Sequence, residues 1–290
     1  MSHFSSIDDA RDRLAATGYL VDDELATAAT PDPRLREVMT SLVRHLHEFA
    51  REVRLTEAEW FAGVQFLTAT GKISDDVRQE FILLSDTLGL SMQVDLINHG
   101  HDDPIITEST VLGPFYAGGS PVREFGESMV EYDDGGEAAI YRGTVRDEQG
   151  NPLAGAMLDV WQNAATGFYA VQVPGEQPDT NLRGKYLTDE QGRFEIHTVR
   201  PVPYPVPADG PVGKLLRDTG RHEWRAAHIH VKVSKDGYLS LTTHVFDRAS
   251  KYLDSDTVFG VKESLIRDFV PGSGGVLVCE HDMVLARAQA

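Results

Sequence analysis

The chain has 290 residues, 41% of them hydrophobic and 25% charged, which is enough apolar material for one large domain or a domain with a sizeable appendage. Its 27 Lys and Arg stand against 45 Asp and Glu, a formal charge of −18, and no basic run breaks that balance, so no nucleic-acid partner is expected. The single cysteine, Cys279, excludes an internal disulfide framework and suits a reducing cytoplasm. Its apolar setting reads as a buried strand with an inert thiol. No segment has the make-up of a signal peptide or the ~20 apolar residues of a membrane helix, so the expectation is a soluble cytoplasmic protein without membrane contact.

The first hundred residues read as helical. From Leu35 the apolar positions Val38, Met39, Leu42, Val43, Leu46, Phe49 and Ala50 follow a helix stripe. Thr56-Glu-Ala-Glu59 has the form of a capping box ahead of Trp60, Phe61, Val64 and Leu67. A third segment is expected to begin near Ser74, stacking Val77, Phe81, Leu84 and Leu88 and stopping at Gly89, with a resumption through Leu90–Asn98. A helical bundle would bury these stripes.

The pattern changes after His99-Gly-His-Asp-Asp-Pro104. Short alternating runs separated by Gly-rich turns predict strands at Ala139–Val145, Ala156–Gln162, Phe194–Val199, Ala227–Val233, Ser240–Phe246 and Val276–Leu285. Such a series points to an antiparallel β-sandwich over 105–290, following a helical region over 1–104.

Two strand histidines, His228 and His230, project to one face while Ala227, Ile229, Val231 and Val233 take the other. On its own such a pair is more often structural than ligating, and a tyrosine in a loop usually packs and hydrogen-bonds. Here Tyr204 sits among Pro201, Pro203, Pro205 and Pro207, which stiffen its mount, and Tyr169 follows Gly167-Phe168. Phenols need a strongly Lewis-acidic ion to be held as phenolates, so two tyrosines with two histidines suggest Fe(III) over zinc or an Fe(II) triad.

Gly113-Pro-Phe-Tyr116, Asp159-Val-Trp-Gln-Asn163, Leu182-Arg-Gly-Lys-Tyr-Leu-Thr-Asp189, Tyr204-Pro-Val-Pro207, Gly220-Arg-His-Glu-Trp-Arg225 and Ala227-His-Ile-His230 occur in that order. Together they resemble the intradiol ring-cleavage dioxygenases over nearly the whole chain. Thr107–Tyr116 and Tyr252–Lys262 look most like the hydroxyquinol-cleaving members, with catechol and chlorocatechol enzymes as close relatives.

The resemblance implies an all-β catalytic sandwich of the transthyretin-like, intradiol dioxygenase type, with an α-helical N-terminal dimerisation region. It implies Fe(III) held by Tyr169, Tyr204, His228 and His230, with Tyr204 and His228 axial and Tyr169 and His230 equatorial. The four would converge inside the sandwich. Tyr186 competes for the Tyr169 role and is read as structural. Arg225 and Tyr204 would be catalytic, Arg225 stabilising anionic species and Tyr204 leaving the metal as an aromatic diol binds ahead of O₂. The substrate wall would comprise Leu83, Asp86, Val111, Leu112, Gly113, Pro114, Phe115, Val206, Pro207 and Val258, with Arg225. Asp86 would read a third ring hydroxyl, unless it is a solvated helix residue. Ala226 departs from the proline of many relatives, and His244 from the glutamine that catechol enzymes often carry. The implied assembly is a homodimer joined through the helical region, with room for a phospholipid there. Two other readings stand beside this one. The first is a cupin-like site of His228, His230, His244 and one carboxylate holding Fe(II), Mn or Zn; the second is a transthyretin-like carrier without metal.

Overall fold

The structure, a computed structural model, describes residues 30–75, 78–101 and 103–288; Val77 of the third expected stripe lies outside them. The chain forms two compact units that divide between Ala69 and Thr70.

Helix α1 (Pro33–Glu52) is started by Asp32, whose side chain accepts from the Arg34 and Leu35 amides at 2.8 and 3.1 Å, with Pro33 in the first helical position. Helix α2 (Glu57–Ile73) opens on the expected capping box. The Thr56 amide donates to Glu59 Oε2 at 2.9 Å, and the Glu59 amide to Thr56 Oγ1 at 3.3 Å. Among the described residues the stripes do not close into a buried bundle. Leu42, Leu46 and Phe49 on α1 and Trp60, Phe61 and Leu67 on α2 are all exposed.

The third helix departs from the periodicity. Helix α2 continues to Ile73, Ser74 Oγ turns back onto the Thr70 carbonyl, and α3 (Glu80–Thr87) starts later than expected. Its buried face carries Glu80, Leu83, Asp86 and Thr87, while Phe81 and Leu88 are exposed. Polar partners set that face: Glu80 accepts from Arg78 at 2.9 Å and from the Val212 amide at 3.1 Å, at the start of α5 (Pro211–Asp218). Gly89, with φ of 75°, separates α3 from α4 (Leu90–His99), as expected.

Twelve strands follow: β1 (Ala138–Asp147), β2 (Met157–Trp161), β3 (Arg183–Leu187), β4 (Arg193–Val199), β5 (Tyr204–Pro205), β6 (Trp224–Arg225), β7 (His228–Ser234), β8 (Leu241–Asp247), β9 (Ile266–Arg267), β10 (Phe269–Pro271), β11 (Leu277–Glu280) and β12 (Met283–Leu285). In one sheet β1 pairs antiparallel with β4 on one edge and parallel with β11 and then β12 on the other. The second sheet runs β3-β2-β7-β8-β9, antiparallel except for β8 with β9. The expected last strand breaks between β11 and β12, where Asp282 takes the Thr144 amide onto its side chain at 2.8 Å.

The inner faces of the two sheets share one core. Tyr141, Val145, Phe194, Ile196 and Cys279 meet Leu158, Val160, Tyr186, Ile229, Val231, Val233 and Val245 there. Cys279 is buried as expected, and burial pushes its thiol up to about 12. Strand alternation then sends His228 and His230 to the opposite face of their sheet. The site therefore lies on the outer face of the second sheet under covering loops, not between the sheets.

Candidate metal centre

Four segments bring the tyrosines, the arginine and the histidines together. Strand β7 supplies His228 and His230, both buried. The two-residue β5–β6 ladder sets Tyr204 directly opposite Arg225. Tyr169 enters at the head of a short 3₁₀ turn, Ala170–Gln172, its amide donating to Gln172 Oε1 at 3.0 Å. The loop before β1 supplies Phe115, stacked on Tyr169 at 4.8 Å between ring centres.

The donor atoms converge. His228 Nε2 and His230 Nε2 are 3.1 Å apart, and the Tyr169 hydroxyl lies 3.1 Å from His230 Nε2. The Tyr204 and Tyr169 rings meet edge to face at 5.2 Å between centres. Arg225 Nη1 donates to the Tyr204 hydroxyl at 3.2 Å and lies 3.3 Å from His228 Nε2. Tyr186 is elsewhere, in the inter-sheet core with its hydroxyl donating to the Glu127 carbonyl at 3.1 Å.

The arrangement suits a cation. His228 Nδ1 lies 2.6 Å from the Ala226 carbonyl, which can only accept, so that nitrogen carries the hydrogen and Nε2 presents its lone pair. Burial first, and Arg225 next, hold His228 well below the ordinary imidazole value; burial and the His228 charge do the same to His230. Both rings are held neutral, and His228 presents Nε2 for ligation. Two imidazole nitrogens bound at right angles to one ion at ~2.1 Å stand about 3 Å apart, the spacing these rings already have. Burial, reinforced by Tyr204, pushes the Tyr169 phenol well above its ordinary value, so it needs a strong Lewis acid to ionise. Phenol oxygens with imidazoles fit a hard trivalent ion.

The cupin-like arrangement does not fit. Among the described residues the clustered metal-binding group comprises His228, His230 and His244 with no carboxylate. His244 Nε2 sits 2.7 Å from His230 Nδ1, with its ring centre 4.5 Å from that of His228.

The proposed wall residues distribute unevenly. A Cβ on Gly113 would lie 3.2 Å from His230 Cε1, and with φ of 76° only glycine suits this close approach. Asp86 is 4% exposed, which removes the solvated alternative. Burial raises its pKa, opposed by a hydrogen bond from Ser91 and by the charge of Arg225. Val111 is buried beside Gly113, and Leu83, Val206 and Val258 are buried two or three residues from Asp86, Tyr204 and Asp256. Pro207 is half-buried, while Leu112 and Pro114 are exposed.

Two neighbours escaped the sequence reading. Trp161 stacks on the His230 ring at 4.6 Å with 10° between planes. Asp256 accepts from Arg225 Nε at 3.3 Å, from the Ala226 amide at 3.2 Å and from the Gly260 amide at 2.9 Å. Burial draws the Arg225 pKa down, but Asp256 and the two tyrosines outweigh it and raise it overall. Both residues lie in motifs visible in the sequence, Asp159–Asn163 and Tyr252–Lys262, which carried no sign of what they touch.

Comparison with known proteins decides the family. The family model described as Dioxygenase matches residues 111–285, and the one described as Catechol dioxygenase N terminus matches 32–104. The chain belongs to the intradiol ring-cleavage dioxygenases. It is 50% identical to 6-chlorohydroxyquinol 1,2-dioxygenase of Cupriavidus pinatubonensis, covering 89% of this chain and 92% of that one. Hydroxyquinol 1,2-dioxygenase of a Rhizobium species is 44% identical over 93% of this chain and 97% of its own. The solved structure of hydroxyquinol 1,2-dioxygenase from Pseudomonas putida aligns with a TM-score of 0.88 at 46% identity, covering 96% of this chain and 99% of the other. As an intradiol dioxygenase the chain is an enzyme of a family that uses non-haem iron. Among the described residues no helix is long and apolar enough to cross a membrane.

Proposed function

We propose that this intradiol dioxygenase opens the ring of hydroxyquinol (1,2,4-trihydroxybenzene) with O₂ to give 3-hydroxy-cis,cis-muconate, the enol form of maleylacetate. Tyr169, Tyr204, His228 and His230 would hold Fe(III). The observation that carries the reading is their convergence: two imidazole Nε2 atoms 3.1 Å apart, with the Tyr169 oxygen 3.1 Å from the second and the Tyr204 ring edge to face with Tyr169. When bound, the ferric ion supplies Lewis acidity toward the diol and a template for its two oxygens.

The protein's own groups divide the remaining work. Of the two protons a diol would lose on binding as a dianion, Tyr204 as phenolate would take one, with Arg225 Nη1 donating to its oxygen at 3.2 Å, and the other would leave to solvent. Arg225 Nη2 is buried without a hydrogen-bond partner among the described residues, a donor free for negative charge that develops on the substrate. A Cβ on Gly260 would come within 2.9 Å of that nitrogen, so glycine there leaves the guanidinium its place. Asp86, buried in the field of Arg225, offers a carboxylate to the third hydroxyl. The hydroxyquinol-named relatives support the substrate assignment.

Oxygen uptake with hydroxyquinol, catechol and chlorocatechols tests it. Turnover on hydroxyquinol should exceed that on catechol, with one O₂ consumed per ring. A protein faster on catechol overturns the substrate assignment, and one inert toward all diols overturns the reaction.

The exposed stripes on α1 and α2 support a homodimer formed through the helical region, with the same apolar faces able to take phospholipid chains. Light scattering gives the mass of the particle, and solvent extraction of the purified protein gives any lipid.

A further inference from the structure

The two proposed histidine ligands are oriented by different means. His228 has a backbone carbonyl on its Nδ1. The Nδ1 of His230 has another imidazole, His244 Nε2, at 2.7 Å. The β7–β8 register sets these two residues directly opposite each other, and their rings stand perpendicular with centres 4.2 Å apart. His244 is fully buried.

An imidazole pair can share its hydrogen in two ways. If His244 Nε2 donates, His230 Nδ1 accepts, and the remaining hydrogen of a neutral His230 sits on Nε2, where it blocks a metal. If His230 Nδ1 donates, its Nε2 keeps the lone pair facing His228 Nε2 and Tyr169. The second arrangement needs His244 to hold its own hydrogen on Nδ1. His244 Nδ1 is buried and closes no hydrogen bond among the described residues, which leaves it able to keep its own hydrogen. Trp161 against one face of the His230 ring, and Gly113 against its Cε1 edge, restrain the plane but not the hydrogen.

We propose that His244 is a positioning residue for the metal site: it accepts the His230 Nδ1 hydrogen and thereby commits His230 Nε2 to the ion. The inference rests on the ferric reading above. A glutamine carbonyl at position 244 could accept the same hydrogen, whereas an apolar side chain could not. Acceptors in this position typically change metal affinity 10–100-fold when lost.

The test compares His244→Gln and His244→Leu with the wild type, each loaded with Fe(III). The readouts are iron retained against a chelator, the visible tyrosinate-to-iron absorption, and circular dichroism for fold. His244→Gln should lose iron within about threefold of the wild-type rate, and His244→Leu ~10–100-fold faster with its fold intact. A leucine variant that holds iron like the wild type overturns the proposal, as do two variants that lose it equally fast. Wild-type protein that takes up no iron and shows no such absorption overturns the ferric reading itself. Should His244→Leu precipitate, nitrogen-15 NMR of wild-type protein carrying diamagnetic Ga(III) decides. A hydrogen on His230 Nδ1 and none on His244 Nε2 supports the relay, and the reverse ends it.

Discussion

Tyr204 and Arg225 face each other across a ladder only two residues long, and that register puts Nη1 of the guanidinium 3.2 Å from the phenol oxygen. The same guanidinium is tied from behind by Asp256 at 3.3 Å. A cation held this way cannot follow solvent; on the proposed function it is fixed beside the point where charge would move between Tyr204 and the diol. Fixed donors of this kind stabilise developing charge without reorganising.

Removing the guanidinium should therefore separate metal binding from turnover. Arg225→Ala is expected to keep iron and colour while kcat falls ~10²–10³-fold. It also strands Asp256, a buried carboxylate, so stability should fall on the order of 3–5 kcal/mol. Adding Asp256→Asn should recover part of that stability and none of the turnover. Denaturant midpoints and steady-state rates on the two variants check this, and near-normal kcat in Arg225→Ala would remove the residue from the mechanism.

Asp86 should govern choice among diols. Loss of a hydrogen bond to a charged acceptor costs about 1.5–3 kcal/mol, so Asp86→Ala should lower kcat/KM for hydroxyquinol roughly 10–100-fold more than for catechol. Burial raises the pKa of this carboxylate, so it takes up its proton at a higher pH than an exposed aspartate. The preference for hydroxyquinol should accordingly decline on the acid side earlier than an ordinary carboxylate would give. Equal losses on both substrates would show that Asp86 does not read the third hydroxyl.

The histidine pair was legible because period-two alternation places His228 and His230 on one face whatever the sheet, and Ile229, Val231 and Val233 do fill the opposite side. The side of the sandwich was not, since alternation says which residues share a face and not which face meets the other sheet. The α3 stripe misled for a related reason. Apolar spacing selected Phe81 and Leu88, but ion pairing of Glu80 with Arg78 and its bond to the Val212 amide turned the helix so that Asp86 faces inward. Strand β5, which holds Tyr204, is too short for any periodicity to register. Asp256 acts through a contact with Arg225, 31 residues away in sequence, that no local pattern encodes.

Stripping the metal should weaken the fold and bleach the protein. Without a cation the paired imidazoles and the Tyr169 phenol are left facing one another in a buried site. A ligand present at ~1,000 times its Kd contributes about 4 kcal/mol, so iron-free protein should melt measurably lower and recover with added Fe(III). Zn(II) could fill the site but should leave it colourless, because the absorption needs a ferric acceptor. A melting temperature indifferent to iron would argue against a specific site.

His281 gives a pH test away from the metal. It is 1% exposed, its Nδ1 lies 3.0 Å from the Tyr141 hydroxyl, and burial pulls its pKa down to about 3 from the ordinary 6.5. The folded chain therefore keeps this ring neutral where the unfolded chain protonates it. Stability from this group is complete above pH ~6.5 and is lost as pH falls toward 3, at about 1.4 kcal/mol per pH unit. Iron-free protein isolates the effect from metal release, although His228, His230 and His244 add slope of the same sign. Replacing His281 by glutamine, which preserves a partner for Tyr141, should make the unfolding free energy shallower by close to one proton's worth between pH 6.5 and 5. Urea titrations across that range measure the slope directly, and an unchanged slope would mean that His281 is already protonated in the folded chain.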